Sequence, residues 1–148
     1  MFREVLFVLF SVGCAYPALG QCSAAASNSL TTRWGHENAV YVNSKPIKKL
    51  RGNVLLGFGK PDVLKDGILV EVFDHPELAM GADPTRKGQK RLMACVTRKD
   101  GGFSFDLPAG KYELRCSKPT EWNCTSVIVE INATGSSKPL SVQLDLAD

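Results

Sequence analysis

The residues best equipped for chemistry in this chain are Asp74, His75 and Glu77, which with Pro76 fill four consecutive positions. Two carboxylates and an imidazole so close together could hold a hard cation or zinc. Asp83 lies farther along the same stretch. A polar loop start accounts for the same residues without a ligand: Asp74 bonds nearby backbone and Pro76 stiffens the turn. We expect the second reading and assign no metal. Other catalytic spacings are missing. The sequence holds no His-x-x-Glu, His-Glu-x-x-His or Gly-x-Ser-x-Gly, so no catalytic residue is named and no cofactor is expected.

Two tryptophans offer surfaces for binding rather than for catalysis. Trp122, between Pro119 and Cys124, could stack on a sugar or fill a partner's pocket; Trp34 could do so less directly. Trp122 could equally pack over a neighbouring disulfide and cap the core. Asn123–Cys–Thr and Asn132–Ala–Thr match the glycosylation pattern, which matters only in a host that glycosylates exported chains. Trp122, Asp74, His75 and Glu77 are the candidate ligand-binding residues.

The cysteines point to a compartment. Met1 to Gly13 is a short segment with Arg3 followed by an apolar run, and Ala18–Leu–Gly20 supplies small residues for cleavage. The run is too short to span a bilayer comfortably. Residues 1–20 are therefore read as a signal peptide cut before Gln21, leaving an exported chain with no transmembrane segment. Its address would be periplasm, cell surface or extracellular space. Cys22, Cys95, Cys116 and Cys124 remain, an even set suited to disulfides in an oxidising compartment. Cys116–Cys124 is the favoured pair because it would close a short loop between strands. Cys22–Cys95 is then the residual pair, with Cys95–Cys116 as its competitor. No Cys-x-x-Cys spacing suggests zinc.

Charge excludes one class of partner. The chain of 148 residues carries a formal +3, unchanged when Arg3 and Glu4 leave together. Lys45, Lys48, Lys49 and Arg51 gather in one place and Arg86, Lys87, Lys90 and Arg91 in another. Neither group is interleaved with aromatics for base stacking, so these read as solvated loop charges and nucleic acid is not expected.

The elements that must position these residues are strands. Phe103 and Phe105 alternate with Ser104 and Asp106; Tyr112 and Leu114 alternate with Lys111, Glu113 and Arg115. A period of two puts one apolar and one solvated face on each strand. Gly101 or Gly102 supplies the positive φ of a tight turn before them, and Pro108 with Gly110 makes the corner between them. Further strands are expected around Val54–Phe58, Ile68–Phe73, Arg91–Thr97, Ser126–Ile131 and Leu140–Leu146. Residues 21–50 read as a flexible leader with a possible short strand at Ala39–Val42, and 51–148 as one domain. Residues 74–90 form a long, mostly exposed loop with a helical turn near Glu77–Met80, and loops of that length are usually functional or disordered. Seven short strands with turns every eight to twelve residues predict an all-β, antiparallel two-sheet sandwich.

Several of these segments carry a family likeness. Gly52–Asn–Val–Leu, Asp66–Gly–Ile–Leu–Val–Glu–Val, Cys95–Val–Thr, Asp100–Gly–Gly–Phe–Ser–Phe and Leu107–Pro–Ala–Gly–Lys–Tyr–Glu–Leu together resemble a carboxypeptidase regulatory-like domain, over roughly Leu50 to Leu146. The resemblance implies a transthyretin-like seven-strand sandwich and a non-catalytic module, usually attached to a peptidase, surface protein or outer-membrane receptor. No catalytic domain stands beside it in this chain. The same fold hosts a hydrolase of 5-hydroxyisourate, but its paired histidines and C-terminal Tyr–Arg–Gly–Ser have no counterpart here. The expectation is thus a non-enzymatic binding module with a protein partner in the envelope or extracellular space. Carbohydrate or small-ligand binding through Trp122 is the alternative.

Overall fold

The computed structural model describes residues 21–22, 39–56, 67–79, 87–118 and 124–144. Nine strands are present among them: β1 (Gln21–Cys22), β2 (Ala39–Asn43), β3 (Leu50–Leu56), β4 (Leu69–Phe73), β5 (Arg91–Val96), β6 (Gly102–Phe105), β7 (Gly110–Ser117), β8 (Cys124–Ile131) and β9 (Leu140–Leu144). One helical turn, α1 (Pro76–Ala79), interrupts the connection from β4 to β5.

The strands form two sheets, ordered β1-β6-β3-β9 and β2-β8-β7-β4-β5. Alternation dictates what lies between them. Leu50 and Val54 of β3, Phe103 and Phe105 of β6, and Val142 and Leu144 of β9 meet Val70, Val72, Leu114, Val127 and Val129 of the facing sheet in one buried cluster. Along each strand these residues are an even number of positions apart, two in most strands and four from Leu50 to Val54 with Gly52 between, as a half-buried sheet requires. The all-β expectation therefore holds.

Strand number and direction differ from expectation. The sheets are mixed: β1 pairs with β6, β2 with β8 and β3 with β9 in parallel, while β3–β6, β4–β5, β4–β7 and β7–β8 are antiparallel. Side chains alternate with the same period in parallel and antiparallel strands, so a periodic pattern is silent on direction. The strands beyond the expected seven are β1 and β2, which precede Leu50 and add to one sheet each. The possible strand at Ala39–Val42 is thereby realised as β2.

Turn chemistry follows the sequence closely. Gly101 has φ of 71° and its N–H reaches the Arg98 carbonyl at 2.7 Å, while Asp100 Oδ1 accepts from Gly102 N at 2.9 Å. An L side chain rarely adopts that φ, which is why glycine stands there. At the next corner the Tyr112 hydroxyl donates to the Pro108 carbonyl at 3.0 Å.

One face departs from the alternation rule. Lys111 is exposed as expected, but Glu113 and Arg115 on the same outer face of β7 are buried, at 0% and 1% exposure, and Ser117 joins them. The reading of this face as solvated is corrected. Over Glu113 and Arg115 the outer surface of the five-stranded sheet is roofed by the Phe73 ring, by Gln89 and by α1, which packs on β7.

Candidate binding loop and its buried anchor

The roof belongs to the long connection between β4 and β5. Its two ends are tied together: Asp74 N donates to the Lys90 carbonyl at 3.0 Å, and Lys90 N donates to Asp74 Oδ1 at 2.6 Å. The chain thus leaves and returns through one hydrogen-bonded neck. Within it His75 takes φ of 47°, an uncommon conformation for a residue with a side chain, and places Pro76 at the first helical position. Leu78 N closes the turn onto the His75 carbonyl at 3.0 Å, and Pro76 and Ala79 are buried against the molecule. This is the expected helical turn, shifted by one residue.

The three candidate ligands do not converge. Asp74 spends its carboxylate on the neck, whereas His75 Nδ1 and Glu77 Oε1 face each other at 3.0 Å and are both well exposed. The Glu77 carboxyl is held below the usual range, first by its backbone N–H and then by the His75 side chain. Among the described residues no three His, Cys, Asp or Glu side chains stand close enough to share a metal ion. Asp83 and Trp122 lie outside the described residues, as does Trp34.

What fixes the neck is a set of buried charges that the sequence reading missed. Glu71 on β4 and Arg115 on β7 are directly paired in register, as are Arg115 and Ser126 of β8, so all three project from the outer face. Arg91, just after the neck, donates from Nη1 to Glu71 Oε1 at 2.9 Å. Gln89, just before it, donates to Glu113 Oε2 at 2.5 Å. Glu113 Oε1 also accepts from Arg115 Nη2 at 3.1 Å and from the Ser126 hydroxyl. The Arg115 guanidinium lies 4.2 Å from the centre of the Phe73 ring, a cation–π contact that covers the cluster from above.

Two carboxylates and two guanidiniums thus offset one another in a site where Glu71 and Glu113 are fully buried and only Arg91 is partly exposed. Such a cluster is a weak source of net stability, because desolvation consumes most of the Coulombic gain. It does give direction: the charged groups accept few alternative geometries, and they lock both arms of the loop to the sheet. The available signal was Glu71, a lone charge inside the apolar run Leu69–Val–Glu–Val–Phe73. A charge at such a position needs a buried partner.

The cysteines are arranged differently from expectation. Cys116 and Cys124 are buried and not bonded to each other, so the favoured disulfide between them is corrected. Register explains it. Cys116 opposes Thr125 and Cys124 opposes Ser117, which puts the two sulfurs on opposite faces of the sheet. Burial pushes the Cys116 thiol far up, and the charges of Cys124 and Glu71 add to this. Cys95 is disulfide-bonded, and the free state of Cys116 removes it as partner. The backbone of Cys22 lies opposite Phe105, in the core-facing row of the other sheet; its side chain is outside the described residues.

In comparison with known proteins, no protein-family model, curated protein or solved structure matches the chain. No helix among the described residues is long and apolar enough to cross a membrane.

Proposed function

We propose that this chain is an exported, non-catalytic β-sandwich module of the carboxypeptidase regulatory-like, transthyretin-like kind, and that it works by protein–protein interaction through the 74–90 loop. One observation carries the reading: both arms of the loop are pinned to the sheet by a buried charge cluster. A sandwich with no use for the loop would gain as much from apolar residues at Glu71, Glu113 and Arg115. Loops held on rigid scaffolds are where binding residues concentrate.

The test is chemical cross-linking in the native host's exported fraction, with the wild-type chain and a variant in which residues 80–86 are replaced by a short Gly/Ser link. The neck and anchor are untouched, so the variant should melt like wild type. A dominant partner captured by wild type and lost with the shortened loop is the expected result. Equal capture by both would refute the loop as the binding element.

A further inference from the structure

The other sheet carries a second feature, independent of the loop. A cavity of about 580 Å³ opens where Arg51 of β3, Ser104 of β6, Pro139 before β9 and the turn residues Arg98 and Lys99 come together. A smaller cavity of about 240 Å³ adjoins it, bounded by Lys48, Lys49, Arg51 and Ser137. Arg51 is common to both, and its Nη2 donates to the Ser137 carbonyl at 3.1 Å, which fixes the guanidinium on the shared wall. The fold has drawn cations from residues 48–51 and 98–99, far apart in sequence, onto one continuous track.

All five cations are exposed, and none has a carboxylate partner among the described residues. Asp100, the carboxylate among the described lining residues, turns one oxygen to the Gly102 N–H. Five like charges held around two joined cavities repel one another, and an anionic occupant relieves that repulsion.

We infer that the track binds an acidic segment of polypeptide, extended across both cavities with Arg51 at the junction. A compact monoanion would use one cavity and leave the remaining cations unanswered. Among the described lining residues the aromatic is Phe103, which is 3% exposed and offers no face for a base or a sugar to stack on. Carboxylates spaced along a peptide answer cations spaced along a groove without stacking.

The experiment is fluorescence anisotropy of a labelled Asp/Glu-rich peptide against the full chain at stepped sodium chloride. A Lys-rich peptide of equal length, a sulfated polysaccharide and a single-stranded oligonucleotide serve as the other arms. The acidic peptide should bind, weaken steeply with salt, and lose at least about tenfold in affinity with Arg51→Glu and with Arg98→Glu/Lys99→Glu. Arg51→Gln, which removes charge with less repulsion, should lose less. Lys111→Glu, an exposed charge on the other sheet, should change nothing. Melting curves establish that each variant is folded. Binding of the polysaccharide or oligonucleotide in place of the peptide would overturn the assignment of partner. No binding of any arm, or equal loss with Lys111→Glu, would overturn the site. The 74–90 loop is untouched throughout, so failure here leaves the loop reading standing.

Discussion

Replacing Glu113 by alanine tests the buried anchor most directly. The carboxylate receives Arg115 Nη2, the Ser126 hydroxyl and Gln89 Nε2, and all three bonds go with it. Arg115 is left in worse condition than its neighbours. Its Nε and Nη1 already have no hydrogen-bond partner among the described residues, so the variant strands a guanidinium that is 1% exposed. Breaking a buried ion pair by removing one member costs about 3–5 kcal/mol. The Phe73 ring covers the cation in both proteins and cancels in the difference, but Glu71, opposite Arg115 in register, stays to offset the charge, so the expected loss is at the lower end, about 3 kcal/mol. At about 4 °C per kcal/mol for a domain of this size, Tm should fall by roughly 12 °C. Urea denaturation followed by circular dichroism gives the free energy directly. The decisive comparison is Glu113→Ala with Arg115→Met, which removes both charges and fills the space with an apolar chain. The double variant should be more stable than Glu113→Ala alone by at least about 1 kcal/mol. Hydrogen exchange should also show the Asp74 and Lys90 amides opening faster in Glu113→Ala than in the double variant. A loss below about 1 kcal/mol for Glu113→Ala, or a double variant destabilised by the sum of its parts, would refute the reasoning.

Two further expectations follow from packing. Cys116 and Cys124 should resist a thiol reagent in the native protein and both react once it is denatured without reductant, because both are buried and the Cys116 thiol is held protonated; detection of neither in the denatured chain would mean that they are bonded to each other after all. Gly135→Ala should destabilise by about 1–3 kcal/mol in a urea melt, since a Cβ there would lie 2.4 Å from the Ile47 carbonyl carbon and 2.6 Å from its nitrogen and oxygen; an unchanged midpoint would show that the 132–139 loop does not press on Ile47.

The strands from β4 onward were legible because their evidence is local. Tyr112 and Leu114, or Val142 and Leu144, declare a buried face through spacing alone, and Asp100–Gly101–Gly102 declares a turn through the φ that glycine permits. The helical turn beside Pro76 was legible for the same reason. The partners of β1 and β2 were not, since pairing depends on residues distant along the chain. The candidate site was half legible. A long polar loop at 74–90 could be read from composition, but its anchor could not, because Glu113 and Arg115 look like any solvated pair until the roof over them is known. The lysines before β3 looked like ordinary loop charge for a related reason: the Arg98–Lys99 turn that completes their track joins them only in the folded molecule.

Consecutive residues thus specify which segments extend, which faces are apolar and where the chain turns, since these are properties of neighbours and of the backbone angles they allow. Which strands lie side by side, whether they run parallel, which cysteine faces which layer and which charges are taken from water are relations between segments far apart in the chain. They depend on register and on what covers each sheet, and so they emerge only when the two sheets close on one another.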